Sequence, residues 1–291
     1  QCVLQSICNG LCSYTKLNIN RPALFNCYRV ILCMLHPDGS WISYFLVIGL
    51  RYIIIAGLAF LVWYIFLKNR ISFKKIQQRF PANKDYQREI FFSLCTMFLF
   101  AFVPWFFLGH AEIRKHTTFY SDINRYGQLY FWLAFPLMLL IHDTYFYWIH
   151  RLMHHPKLFR VLHLIHHKST NPSPWAAFAF HPLEAILEVG ILVVLIYTIP
   201  VTKAHLFFFF LFQMFYNVYG HLGWELFPKN FQRTWIGRWI NTSVTHNQHH
   251  QYFTGNYGLY FLFWDRLMVT MREDYEAKYD EVKSREKPMH L

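Results

Sequence analysis

Apolar residues run along this chain in long blocks separated by short polar or basic stretches. The first block, Trp41 to Leu67, and the second, Ile90 to Gly109, are each long enough for a helix to cross a bilayer. A third runs from Leu129 to Ile149, and a fourth region, from about Ala185 to Tyr219, holds two shorter runs around the sequence IPVTK. Pro200 at that junction interrupts helical hydrogen bonding, so the fourth region is expected to be a helical hairpin. Pro104 is expected to kink the second helix, and Arg51, inside the first, to snorkel or pack against a partner. The pattern predicts an all-α integral membrane protein with about four transmembrane helices.

The polar intervals give the orientation. Between the first two blocks Lys68, Arg70, Lys74, Lys75, Arg79, Lys84 and Arg88 outweigh Asp85 and Glu89, which places residues 68 to 89 in the cytoplasm. Counting crossings from there puts residues 110 to 128 outside. The third helix returns to the cytoplasm near His150, and a hairpin leaves and comes back. The polar remainder then forms a cytoplasmic helical lobe rich in histidine. Residues 272 to 291, beginning REDYEAKYDEVK, carry mixed charge and read as a solvated helix or tail.

Composition supports the membrane reading. Of the 291 residues 55% are hydrophobic and 15% charged, whereas a soluble domain is about 25% charged. The net charge of +12 suits anionic headgroups, and no nucleic-acid-binding signature accompanies it. Five of the six cysteines (Cys2, Cys8, Cys12, Cys27, Cys33, Cys95) fall in the first 33 residues without a C-x-x-C pair, which leaves disulfides and free buried thiols both open. Asn241-Thr242-Ser243 fits the glycosylation pattern but falls on the cytoplasmic side, so it is read as chance. Trp235 and Trp239, with Arg233 and Arg238, predict an interfacial amphipathic helix. The rings of Phe207 to Phe210, Phe212, Phe215 and Tyr216 are expected to face acyl chains or to line a path for a lipid.

Histidine carries the candidate chemistry. HLIHH at His163–His167 and HNQHH at His246–His250 repeat one pattern 83 positions apart, and HRLMH supplies His150 and His154. In a helix, positions i, i+3 and i+4 share a face, so the three rings of each motif are expected to project together. Extending the His150–His154 face backwards reaches Asp143 and Tyr147. Eight imidazoles exceed one tetrahedral zinc site and suit two metal ions, although imidazole also accepts iron, nickel and copper. A histidine-rich interfacial rim is the bland alternative, but it does not explain the repeated motif. His142, within the third apolar block, is a ligand or supports one; His221 is expected to close the cage, with Asn217 hydrogen-bonding nearby. His181 is expected to support ligands. Among Asp143, Glu184, Glu188, Glu225 and Asp265, one or two should orient histidines, the alternative being salt bridges with Arg151 or Arg266.

HRLMH, HLIHH and HNQHH, together with AFAFHPLEA and NYGLYFLFWDRLMVT, resemble the membrane fatty acid hydroxylase and sterol desaturase superfamily over residues 129 to 271. The sterol 5-desaturase branch and its bacterial relatives are the most similar. The apolar pattern gives an N-terminal region at 1–128 with two transmembrane helices and a polar tail at 272–291, and the resemblance implies a histidine-box catalytic domain at 129–271 between them. It implies His150, His154, His163, His166, His167, His246, His249 and His250 as metal ligands and favours His221 as a further one, with His142 and His181 as supporting residues; these two, with Asp143 and Asn217 from the residue pattern, are the candidate catalytic residues. Where some related hydroxylases carry a histidine, this chain has Asn217. The implied cofactor is two iron ions, with zinc as a substitute in purified protein. The implied reaction is O2-dependent desaturation of a sterol-like lipid, with hydroxylation of a sterol or fatty acyl chain as its rival. Its electrons would come from a separate donor, such as cytochrome b5 or a ferredoxin with an NAD(P)H-dependent reductase. The endoplasmic reticulum in a eukaryote, or the cytoplasmic membrane in a bacterium, would be its location. A metal transporter or metal-sensing membrane protein is the alternative of another class; transport calls for ionisable groups spread along the midplane, whereas here they gather near one face.

Overall fold

The computed structural model describes residues 40–287, so the five N-terminal cysteines, His36 and His290 lie outside the described residues. The principal helices are α1 (Trp41–Phe60), α2 (Asn83–Pro104), α3 (Gly127–Met153), α4 (Pro156–Leu162), α5 (Leu164–His167), α6 (Pro182–Thr198), α7 (Lys203–Gly220), α8 (Ser243–Tyr252) and α9 (Tyr275–Ser284). Three helical segments, Trp41–Phe66, Asn83–Gly109 and Gly127–Met153, are long and apolar enough to cross a membrane. Each turns apolar side chains outward, with Phe66, Leu129 and Trp132 more than 70% exposed, a surface suited to lipid.

Local chemistry explains the ends of these helices. The second starts at Asn83 because the Asp85 carboxylate accepts from the Ala82 N–H at 3.0 Å, so the last residues of the basic interval are already helical. At Pro104, which has no N–H to give, the α-helix passes into a wider π-helical turn over Trp105–Gly109. Arg51 remains between helices, its guanidinium 5.9 Å from the centre of the Phe210 ring.

The fourth apolar region is a pair of helices, α6 and α7. At their junction Tyr120 N donates to Val201 O at 3.0 Å, Tyr130 Oη to Pro200 O at 2.8 Å and Thr118 Oγ1 to Ile196 O at 2.8 Å. The tip therefore sits against the segment joining the second and third long helices. The opposite ends, at His181 and His221, lie beside the histidine motifs. The chain thus runs away from the histidines and back, as the proline break led one to expect.

Two apolar cores hold the bundle. Tyr52 and Ala56 of α1 pack on Met97 and Ala101 of α2 and on the Pro174–Phe178 turn, whose Trp175 carbonyl accepts from Tyr52 Oη at 2.8 Å and Ser93 Oγ at 2.9 Å. Met138, Leu192, Leu195 and Phe209 join α3, α6 and α7 in the second core. The C-terminal segment is helix α9, with Tyr275, Tyr279 and Val282 buried on Val244, Leu262 and Ile76. It is a packed wall rather than a solvated tail, because every third or fourth residue of its polar sequence is apolar. The amphipathic helix expected at Trp235–Trp239 is absent. Two 3-10 turns, Phe231–Arg233 and Gly237–Trp239, stand there instead, set by left-handed Asn230 and by Thr234 Oγ1 accepting from Gly237 N at 2.9 Å. Trp235 and Ile236 are nevertheless exposed.

Candidate metal centre

Nine histidines converge at one end of the bundle. Their ligating nitrogens form two groups, within each of which all lie within 4.8 Å of one another: His150, His154, His163, His167 and His249 in one, His166, His221, His246 and His250 in the other. These are the eight box histidines plus His221. Four separate stretches of chain deliver them. Helix α3 carries His150 in its last turn and is capped by His154, the second motif runs from the α4–α5 junction at His163 through α5, His221 caps α7, and α8 carries the third.

The repeated motif does not act as one face, contrary to the simple helical expectation. His163 and His167 enter the five-histidine group while His166 enters the other; His246 and His250 enter the four-histidine group while His249 enters the first. At 3.6 residues per turn, i+4 lies about 40° to one side of i and i+3 about 60° to the other. Each His-x-x-His-His therefore straddles both groups, its i, i+4 pair serving one and its i+3 ring the other. His150 and His154 complete the first group, and His221 completes the second. Gly220 allows the close approach of α7 and α8, since a Cβ there would lie 3.2 Å from the His246 ring.

The proton positions decide what the site can hold. His150 Nδ1 donates to Tyr257 O at 2.9 Å, His249 Nδ1 to Gly255 O at 2.8 Å, His221 Nδ1 to Asn217 O at 2.7 Å and His250 Nδ1 to Ser169 O at 3.0 Å. His163 Nδ1 donates to the Glu184 carboxylate at 2.6 Å. In these five rings the proton is on Nδ1, and a neutral Nε2 has only a lone pair. Yet the lone pairs of His150 Nε2 and His163 Nε2 lie 3.0 Å apart, and those of His221 and His250 both face His246 Nε2, at 3.1 and 3.2 Å, which can carry one proton at most. Facing lone pairs repel unless a cation lies among them. Protonation is not the remedy. Burial, and then neighbouring imidazoles, hold His163, His166, His167, His246, His249 and His250 well below the ordinary imidazole value, and burial takes His154 to about 2 and His221 to about 4. An all-nitrogen, neutral, inward-facing donor set fits metal ions.

The remaining candidate residues stand outside the two groups. His142 Nδ1 pairs with the Tyr260 hydroxyl at 3.0 Å, and its ring lies 5.3 Å from that of Phe209. Asp143 accepts from the backbone N–H of Tyr260 and Phe261 at 2.8 and 3.1 Å, so its carboxylate anchors a loop. His181 caps α6, accepting from Leu183 N at 3.3 Å. The Asn217 side chain donates to Ala177 O at 2.7 Å, and only its backbone carbonyl serves His221. Of the five acids, Glu184 touches a ligand candidate directly. Asp265 acts through the chain, accepting from Tyr257 N at 2.8 Å and Gly258 N at 2.7 Å and so fixing the carbonyl that His150 uses. Glu225 accepts from Val244 N at 3.2 Å in the first turn of α8. Residues before 129 contribute too, from α2 and from the stretch that precedes it. Arg88 donates to Ser169 Oγ at 3.1 Å, Glu89 bonds Ser173, and Gln77 donates to Asn247 Oδ1 at 3.0 Å. The carbonyls of Ser169, Gly255 and Tyr257 had no signature in the sequence, since a backbone group carries no residue type.

The fatty acid hydroxylase family profile matches residues 135–270, which span every one of the nine histidines. This chain belongs to the fatty acid hydroxylase/sterol desaturase superfamily. Among curated members of that superfamily, a Delta(7)-sterol 5(6)-desaturase of Gibberella zeae is 37% identical over 160 residues, 55% of this chain and 47% of the relative. A Delta(7)-sterol 5(6)-desaturase of Aspergillus fumigatus is 31% identical over 241 residues, 82% of this chain and 65% of the relative. Lathosterol oxidase of Rattus norvegicus is 28% identical over 231 residues, 79% of this chain and 70% of the relative. Against the fungal desaturases just described, the chain spans from about half to just under two thirds of their length. No solved structure matches it.

Proposed function

We propose that this chain is a membrane lipid oxidoreductase that holds two iron ions, one in each histidine group, and uses O2 to desaturate a sterol-like substrate. The observation that carries the reading is the convergence of unprotonated Nε2 atoms, with His150 and His163 only 3.0 Å apart while both Nδ1 atoms donate elsewhere. Iron held there would supply the oxidising power to break an unactivated C–H bond, which no side chain has. The chain's own residues do the rest. Carbonyls and Glu184 fix each ring's tautomer and aim. Phe146 at 4.9 Å from His150 and Phe180 at 5.0 Å from His166 keep water from the donor set. The long apolar helices present the lobe to lipid, and a separate donor, such as cytochrome b5 or a ferredoxin served by an NAD(P)H-dependent reductase, delivers electrons at the cytoplasmic face. The names of the fungal relatives support a sterol and a 5(6) double bond. Hydroxylation is the second reading, favoured by the matched family's own description. Compact grouping of all nine histidines, rather than a string of them along the bundle, speaks against metal transport.

Metal analysis of the purified protein tests the centre. About two ions per chain are expected, iron or a zinc substitute, and a preparation that binds none after iron loading sinks the reading. Mass spectrometry of products from Delta(7)-sterols decides the reaction: loss of two hydrogens marks desaturation, gain of one oxygen marks hydroxylation.

A further inference from the structure

Helix α6 carries a second carboxyl group one turn beyond Glu184. Glu188 has no hydrogen-bond or ion-pair partner among the described residues, although it stands in the apolar sequence AILEVGILVVL. It is half-buried, keeping part of its surface free. Its position relative to the metal centre is fixed. Glu184 touches His163, and residues four apart on a helix lie on one face about 6 Å apart.

The walls around it come from α3 and from the loop that Asp143 anchors. Tyr145 Oη donates to Leu187 O at 2.7 Å, and the tyrosine lies so close on α6 that a Cβ at Gly190 would be 2.5 Å from that oxygen. Glu188 is within electrostatic reach of Tyr145, Glu184 and Tyr260. Phe146, half-buried, continues the wall from this point to His150. A polar group is thus set among apolar neighbours one helical turn beyond Glu184, the residue that bonds His163. An unpartnered carboxyl there costs stability unless something bonds to it.

We infer that Glu188 receives the hydroxyl group of the lipid substrate and holds the ring bearing it against the histidine centre. This rests on the sterol reading proposed above. A sterol's hydroxyl is carried on the ring that contains carbon 5, so a hydroxyl held one turn beyond Glu184 leaves the 5(6) bond on the side of the histidines. A carboxyl group suits the task, because it accepts from an alcohol when ionised and can also donate when protonated. Glu188 is then a specificity-determining residue that sets which carbon is presented.

The test compares a radiolabelled Delta(7)-sterol with its O-methyl ether, which cannot donate, on the full chain in detergent after metal removal. Wild type should prefer the alcohol. Glu188→Leu should weaken alcohol binding about tenfold, the worth of one buried hydrogen bond, and leave the ether unchanged; Glu188→Gln should keep most of the preference. In turnover assays of the metal-loaded enzyme the loss should fall on KM more than on kcat. Equal loss for both ligands, or no loss for either, overturns the assignment. If wild type binds neither ligand, the sterol reading fails and takes this one with it. Should the leucine variant not fold, wild type alone decides. A sterol with a photoreactive diazirine on its hydroxyl-bearing ring should label Glu188, and labelling confined to other helices overturns the inference.

Discussion

The two histidine groups are built from the same motif and differ in their surroundings. The five-histidine group has an acid behind it, Glu184 on His163, and an edge toward solvent, where His154 is half-buried beneath Phe159, Tyr257 and the left-handed Phe253. The four-histidine group is buried throughout, and the partners of His221 and His250 are neutral carbonyls. A carboxylate behind an imidazole makes its other nitrogen a stronger donor than a carbonyl does. The first group is therefore the tighter and more accessible site, and the second is sealed and held by packing.

Substitutions at five residues bear on that difference, in descending order of expected effect. His167→Ala and His246→Ala, one from each group, should both abolish turnover while membrane insertion persists. Metal analysis should show loss of metal in each, and full activity in either variant would remove that residue from the centre. Glu184→Ala should cost about 10–100-fold in metal affinity or activity, as loss of the partner behind a ligand does. Half that loss or more should be restored by Glu184→Gln. If Glu184→Ala behaves as wild type in metal titration, the two groups are electrostatically alike and the contrast fails. Asp265→Asn should have a smaller effect, about tenfold at most, because it reaches His150 only through the Tyr257 carbonyl; kcat and metal occupancy measured together check this. Asn217→Ala should leave activity per folded molecule nearly intact and lower stability by about 1–3 kcal/mol, since its side chain satisfies only the Ala177 carbonyl. A large loss of activity without a loss of thermal stability would place Asn217 in the chemistry instead.

What the sequence made legible follows from what it encodes directly. Long apolar blocks announced the three long helices, the proline break announced the return of α7 to His221, and histidine is rare enough in apolar chains that clustered ones stand out. Glu184 was visible only as one of five acids, because orientation on a helix does not tell which ring of another segment it meets. Asp143 shared a helical stripe with His150, yet the loop at Tyr260 and Phe261 had the stronger claim on its carboxylate. The division of each motif between two groups follows from helical geometry, but it needed the relative placement of α5 and α8. The support from Arg88, Glu89 and Gln77 was illegible for the same reason, as was the seating of α9: contacts between remote segments are set by packing rather than by local pattern.

On the proposed two-ion reading, because each His-x-x-His-His is divided between the groups, neither ion could be accommodated alone without arranging part of the other's coordination sphere. Capture of one ion by His163, His167 and His249 immobilises α5 and α8 and so presents His166, His246 and His250 already aligned. Loading should then be cooperative, with a binding isotherm steeper than that of independent sites and few singly occupied molecules at any concentration. On that reading, a cell short of the metal would hold a mixture of empty and filled protein, not a pool of half-assembled molecules.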